Sequence, residues 1–385
     1  MQEIDPIRHI NRDRLTETFI ELIKVNSPSF QEAGIGRVLS NMLEKAGCET
    51  VFQKYDGSFN LIGFKKGTDK KASPLLLSGH MDTIEPTAGI AFSIGASDNG
   101  NAMIKSTGET VLGADDKSAL AQIIEALTVL QERDIPHGDI EVVFTSVEEK
   151  GLLGAKNLDY TLLKSRHALV LDSSGPVGSL VIAAPSHVTY EMRITGRSAH
   201  AGIEPEKGIN AVRVAAEIIS SVPDGRIDHE TTANIGIIYG GTATNVVPKE
   251  VIVNGELRSH SKATLEATRE KIFGTARRTA EEHGAAVTIE DELEYSSYRI
   301  NGDRPFVSFM EGVFRACGIE PVQVVTGGGA DANIFNQRGL ETINISTGMQ
   351  KVHSTEEFIY LEDLYKGCAV VLKTVCEFGK FVQPI

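Results

Sequence analysis

Pro74-Leu75-Leu76-Leu77-Ser78-Gly79-His80-Met81-Asp82 is the stretch that decides the fold class. Three consecutive leucines between a proline and a small residue show no polar alternation, which is the pattern of a strand buried on both faces. Strands of that kind belong to parallel sheets covered by helices on either side. The run ends at His80 and Asp82, so two polar side chains stand at the carboxyl end of a core strand.

Working outward, residues 140–145, 168–171, 322–325 and 341–345 read as further strands, and 49–53 with 60–64 as short strands around Tyr55-Asp56-Gly57. Residues 14–25, 31–46, 119–130, 305–316 and 361–378 carry apolar residues at helical spacing, and Gly47 follows the second of these as a helix terminator. The alternation predicts an α/β fold: a catalytic domain with a mainly parallel mixed sheet flanked by helices. Between them the style changes. Residues 188–195, 235–239 and 251–257 alternate apolar and polar positions, with helical patterns over 209–221 and 265–283, as in an α+β domain with an antiparallel sheet. The expected organisation is a catalytic domain in two pieces, 1–180 and 295–385, with a smaller domain inserted at 181–294.

A chain of 385 residues exceeds what one core usually covers, in keeping with two domains. Its net charge of -14 argues against nucleic acid, because phosphate binding needs a basic face. The one dense basic cluster, Lys65, Lys66, Lys70 and Lys71, reads as a solvated loop. Residues 1–11 hold no apolar signal core, and no window approaches the roughly 18 apolar residues of a membrane span. Four cysteines without paired spacing fit a reducing cytoplasm.

The chemistry gathers at strand ends. His80 and Asp82 follow one strand, Glu148 and Glu149 another, Asp172 a third, and His353 comes after the strand at 341–345. A fifth segment, Leu112-Gly113-Ala114-Asp115-Asp116-Lys117, opens the helix at 119–130 with two adjacent aspartates. In open α/β sheets ligands bind at the carboxyl edge. Alone, each residue is explained by packing, a turn or a helix cap. Together they make a cluster of acids with only two histidines, and buried carboxylates need a counter-charge that divalent cations supply. A cap needs one aspartate. If Asp115 bridges two ions, Asp116 is left to cap the helix or hold the turn.

Gly79-His80-Met81-Asp82-Thr83, Gly113-Ala114-Asp115-Asp116-Lys117, Glu148-Glu149-Lys150-Gly151, Leu171-Asp172 and His353 together resemble the motifs of the M20 metallopeptidases, and among them those of peptidase T and its relatives. The resemblance implies two divalent ions, zinc foremost with cobalt or manganese as options. It implies that Asp115 bridges them, that His80 and Asp172 complete one site, and that Glu149 and His353 complete the other. It makes Asp82 the residue that orients His80, and Glu148 the general base. The sequence by itself does not divide the roles of Glu148 and Glu149. The family also carries a cis peptide after the bridging aspartate.

The same likeness makes the inserted domain a lid that forms a homodimer, with His200 of Ser198-Ala199-His200-Ala201-Gly202 stabilising the oxyanion. Asn245 of Gly240–Pro248 is the implied substrate contact. Arg258 ends a strand and is either a grip for a substrate carboxylate or a surface arginine. Gly329, in Gly327-Gly328-Gly329-Ala330-Asp331, opens a helix where N–H groups could meet substrate. The segments around Asn245 and Arg258 resemble the broader M20 family more than peptidase T.

The expected function is a cytoplasmic, two-zinc exopeptidase that takes N-terminal residues from small peptides, of tripeptidase type. The alternatives are an N-acyl-amino-acid amidohydrolase, a dipeptidase or a carboxypeptidase with the same metal chemistry, and more distantly a metal-binding protein without catalysis.

Overall fold

The computed structural model describes residues 5–97 and 99–381, so the sequence reading of residues 1–4 lies outside the described residues. The chain divides into two compact units. One comprises the chain through Ile182, Ile300–Val325 and Ala330 onward; the other comprises Ala183–Arg299 together with Thr326–Gly329.

The first unit is built on a mixed sheet. Its strands lie in the order Glu49–Tyr55, Ser58–Lys65, Ile140–Thr145, Leu75–His80, His167–Ser173, Glu341–Ser346 and Ser179–Ala184. The central pairings are parallel, with Leu75 opposite both Ile140 and His167, and Glu341 opposite His167. The outer pairings are antiparallel. Every residue of Leu75–His80 and of Ile140–Thr145 is buried, as an uninterrupted apolar run at the middle of a covered sheet requires. Because four neighbouring strands run the same way, their carboxyl ends share one edge.

Helix Ala114–Arg133 is buried along most of its length, which explains why Leu120, Ala121, Ile123, Ile124, Ala126 and Leu127 leave almost no polar face. A small antiparallel sheet, Met349–Gln350, Phe358–Tyr360, Ala102–Ser106 and Phe92–Ala96, belongs to the same unit and has no counterpart in the sequence reading.

One expectation is overturned here. Lys65 is not in a solvated loop: it ends the strand Ser58–Lys65, is buried, and donates to the Ala46 carbonyl at 2.7 Å and to Gln131 Oε1 at 2.8 Å. Only its neighbours Lys66, Lys70 and Lys71 fall in the following loop.

The second unit is an antiparallel sheet in the order Gly225–Arg226, Thr231–Gly240, Glu250–Ser259, Ser186–Thr195 and Ala286–Tyr295, with helices Ala211–Ser221 and Lys262–Glu282. Val188, Tyr190, Met192 and Ile194 alternate inward along one strand and pack with Val214, Ile218, Ile272 and Phe273. On the strand Thr231–Gly240, Ile237, Ile238 and Tyr239 are exposed.

Candidate metal centre

His80 is the last residue of its strand and is fully enclosed. Its Nδ1 lies 2.9 Å from the carbonyl oxygen of Asp82, an acceptor that fixes the proton on Nδ1 and leaves the Nε2 lone pair free. Nε2 points at Asp115, 3.0 Å from Oδ1, with Asp172 Oδ1 at 3.9 Å. From the other side His353 Nε2 lies 3.2 Å from Asp115 Oδ2 and 3.1 Å from Glu149 Oε1. Each oxygen of one carboxylate thus faces the nitrogen of a different histidine.

Glu148 and Glu149 follow a strand whose alternate residues would point to opposite faces. The backbone breaks that alternation at Val147, which adopts φ +54, a left-handed conformation that a β-branched residue rarely takes. The turn is held from both sides. Glu32 Oε1 accepts the N–H of Val147 at 3.0 Å, Asp82 Oδ1 accepts that of Glu148 at 3.0 Å, and Asp82 Oδ2 accepts that of Glu149 at 3.2 Å and the Ser29 hydroxyl at 2.8 Å. The sequence reading of Asp82 is amended accordingly. Its carbonyl, rather than its carboxylate at 3.5 Å, is the near partner of the His80 ring, and the carboxylate chiefly shapes the glutamate turn.

The Asp115–Asp116 peptide bond is cis, as the family likeness implies. Neither aspartate caps the helix, so of the two roles left open for Asp116 the cap is ruled out. Residues 115 and 116 have non-helical backbone angles and no side-chain cap is made. The N–H groups at this end go instead to Glu357, whose Oε2 accepts from Leu112 at 2.7 Å and Gly113 at 2.8 Å while Oε1 accepts from Asp115 at 2.9 Å. Asp116 Oδ2 turns back to accept the His80 N–H at 3.0 Å. It can do so because residue 79 is glycine: a Cβ there would stand 2.7 Å from that oxygen. Asp172 is fixed by Asn344, whose amide pairs with both its N–H and its carbonyl at 2.9 Å.

Three contributors escape sequence reasoning. Glu32 and Glu357 act on backbone N–H groups far along the chain. Asp331 is buried, receives the Thr145 hydroxyl at 2.5 Å through Oδ2, and has no partner for Oδ1. The last was visible only as the end of a glycine-rich turn.

Electrostatics set the centre apart from an ordinary buried polar cluster. Burial and the charge of Asp172 drive Glu148 well above the usual carboxylate range, and burial together with neighbouring acids does the same to Asp172 and Asp116. Burial raises Asp331 to about 6 and Glu357 to about 7. Burial alone would lower His80, yet hydrogen bonds to Asp115 and Asp82 raise it well above its ordinary value. Bonds to Asp115 and Glu149 lift His353 to about 10. Lys117, fully buried with its ammonium on the Val25 carbonyl, is depressed to about 7 by burial. Such a surplus of acids calls for added positive charge. The donor set fits a hard or borderline divalent cation: His80, Asp115 and Glu149, or His80, Glu148 and Asp172, or Asp115, Asp116 and Asp172 offer ligand atoms within 4.8 Å of one another. Asp116 Oδ1, buried without a partner, is a further free donor atom in the same place.

The second unit holds the other candidates. His200 is exposed and its Nδ1 accepts the N–H of Gly202 at 3.2 Å, while Ala201 donates to the Asn245 carbonyl at 2.9 Å, so the two segments lie side by side. Arg258 is engaged by Glu256 on its own strand through two nitrogens at 3.1 Å, and Glu256 also pairs with His187 at 3.0 Å. Gly329 lies against the Tyr295 ring, where any Cβ would overlap it, and the helix that follows, Asp331–Gln337, begins two residues later.

Residues 182–284 match the family model of the M20 peptidase dimerisation domain. The chain is 37% identical to the aminopeptidase PepT of Bacillus cereus, whose crystal structure superposes with a TM-score of 0.85 over 96% of this chain and 99% of that one. This chain belongs to the M20 peptidases, in the group of peptidase T. A tripeptidase structure from Staphylococcus aureus agrees at 34% identity and a TM-score of 0.90, covering 96% of this chain and 99% of that one. A peptidase T of Escherichia fergusonii is 31% identical over 71% of this chain and 67% of its own length. The likeness read from the five motifs therefore holds, and with it the α/β fold. Among the described residues, no helix is long and apolar enough to cross a membrane.

Proposed function

We propose that this chain is a metal-dependent aminopeptidase that removes the N-terminal residue of small peptides, tripeptides foremost. One observation carries the reading of the centre: Asp115 presents its two oxygens to His80 and His353 separately, at 3.0 and 3.2 Å. That geometry supports a carboxylate shared between two cations. In our assignment His80 and Asp172 hold one divalent ion, Glu149 and His353 hold the other, and Asp115 serves both, with zinc as the first choice. When bound, the ions supply Lewis-acid polarisation of the scissile carbonyl and acidify the attacking water.

The protein's own share is proton handling and alignment. Burial among acids raises the proton affinity of the Glu148 carboxylate above that of an ordinary glutamate, which is the direction a general base requires. Glu148 removes a proton from the water that adds to the amide carbon, then delivers that proton to the departing amine as the C–N bond breaks. Asp82 and Glu32 hold the turn that aims it. For the second unit we assign substrate and oxyanion contacts to His200, Asn245 and Arg258, with Gly329 as the small residue that Tyr295 requires.

The aminopeptidase name of the relative at 37% identity supports the choice of substrate end, and the tripeptidase name of the one at 34% supports the substrate length. The test compares a tripeptide, its N-acetylated form and its C-terminally amidated form. Cleavage of the free-amine substrates alone is expected; equal cleavage of the N-acetylated one would overturn the reading in favour of an N-acyl hydrolase. We further propose a homodimer through the second unit. The dimerisation-domain match and the exposed Ile237, Ile238 and Tyr239 support it, and light scattering after size exclusion checks it. All four cysteines are free, which supports a reducing compartment such as the cytoplasm.

A further inference from the structure

Glu357 belongs to none of the five motifs, yet its carboxylate gathers three backbone N–H groups from the segment that carries Asp115. The donors are Leu112, Gly113 and Asp115 at 2.7, 2.8 and 2.9 Å, and the side chain is buried. Three N–H bonds to one carboxylate fix a short segment in position and in direction, and each is roughly twice as strong as a neutral bond when the carboxylate is ionised. A serine or aspartate at the helix start would satisfy the same donors locally. What a local cap cannot do is tie the turn to another part of the chain.

Glu357 sits four residues after His353. The loop between them is closed by the Glu357 N–H on the Ser354 carbonyl at 3.2 Å and the Ser354 hydroxyl on the Lys351 carbonyl at 2.7 Å. Its own carbonyl accepts the N–H of Ser106 at 3.0 Å, where Phe358–Tyr360 pairs with Ala102–Ser106. One side chain therefore spans two segments that each deliver a proposed ligand, Asp115 on one and His353 on the other.

We propose that Glu357 is a positioning residue for the metal centre: by clamping the Leu112–Asp115 backbone to the His353 loop, it fixes how the Asp115 carboxylate lies between the two histidines. This rests on the reading of Asp115 as the shared ligand. A residue that only caps the helix affects stability; a residue that aligns a bridging ligand also affects how tightly cations are held. Residues that orient ligands typically change metal affinity or activity by about 10–100-fold.

The test uses the full-length protein and zinc, with affinity read by competition against a chromophoric chelator. Glu357→Gln keeps the volume but has one acceptor oxygen for donors on two sides. It is expected to weaken zinc binding by about 10-fold or more, and to lower kcat with KM little changed. Zinc affinity and kcat within twofold of wild type, with only a lower melting temperature, would reduce Glu357 to a cap and overturn the proposal. Wild-type protein that takes up no zinc, or an Asp115→Ala variant that binds it normally, overturns the centre itself and is a separate failure. Should Glu357→Gln not fold, hydrogen exchange on the metal-free wild type decides. Slow exchange at Leu112, Gly113 and Asp115 supports the preformed clamp, and rapid exchange there rules it out.

Discussion

The carboxylate of Asp116 crosses above Gly79 to accept the backbone N–H of His80 at 3.0 Å. The histidine that we assign to one of the cations is thereby fixed through its main chain as well as its ring. Gly79→Ala places a methyl group 2.7 Å from that oxygen and 3.1 Å from the Ala119 Cβ, so the contact must open. Overpacking of this kind costs about 1–3 kcal/mol. The variant is expected to unfold at lower denaturant and to carry less metal, both read on the same preparation.

The two aspartates should separate cleanly. Asp115→Ala removes the atoms that face both histidines and is expected to lose both ions and all hydrolysis. Asp116→Asn retains an acceptor for the His80 N–H and is expected to keep its metal with a smaller loss of rate. Elemental analysis of the purified variants checks this, and the opposite ranking would show that Asp116 is the shared ligand.

Glu148→Gln keeps the shape of the turn, because the contacts that hold it run to its backbone N–H rather than its side chain. Metal content and melting temperature should stay near wild type while kcat falls by about 10^2–10^4, the usual contribution of a general base. Retained activity would move the role elsewhere.

Glu32→Ala leaves the N–H groups of Val147 and Phe30 without their acceptor. Val147 is buried whereas Phe30 is exposed. The Val147 N–H therefore carries the penalty of about 1–3 kcal/mol for an unsatisfied buried group, and a fall in unfolding free energy of that size is expected. Since the left-handed Val147 then lacks its restraint, kcat should fall as well. Glu32→Gln keeps an acceptor oxygen and should recover most of both.

His167 gives a pH prediction remote from catalysis. Burial holds its imidazole below the ordinary value, against the pull of Glu341 at 3.7 Å and alongside Arg304, which bonds Glu341. Phe306, Phe378 and Phe381 lie 4.9, 5.6 and 5.4 Å from its ring. A base with a depressed pKa favours the folded state when neutral, so its contribution is complete above the unfolded value of about 6.5 and is lost as pH falls towards the folded value. Wild type should therefore lose more melting temperature between pH 7 and pH 5 than His167→Phe does, as calorimetry at the two pH values would show.

How much of this was legible in the sequence follows from what each residue depends on. The buried leucine run ending at His80 and the strand Ile140–Thr145, rich in β-branched and aromatic residues, were both readable from local pattern. The small sheet of Phe92–Ala96 and Ala102–Ser106 was not, because its strands are short and mix exposed, half-buried and buried positions without a regular period. Ala286–Tyr295 went unread as well, since its latter half is mostly acidic and exposed. Glu32 and Glu357 are invisible for another reason. What they do lies in N–H groups more than 100 residues away, and a main-chain donor has no signature in the alphabet of side chains.

His353 and His80 face the same carboxylate, but 48% of the His353 side chain is open to solvent against 2% for His80. Water and chelators reach a ligand at the surface first. If each histidine holds its own ion, the two positions differ in lifetime. The ion on His353 exchanges quickly with the surroundings, and the ion on His80 is a long-lived resident. Purified protein then passes through a singly loaded form on its way to metal-free protein, and the stoichiometry found depends on how long it has been dialysed.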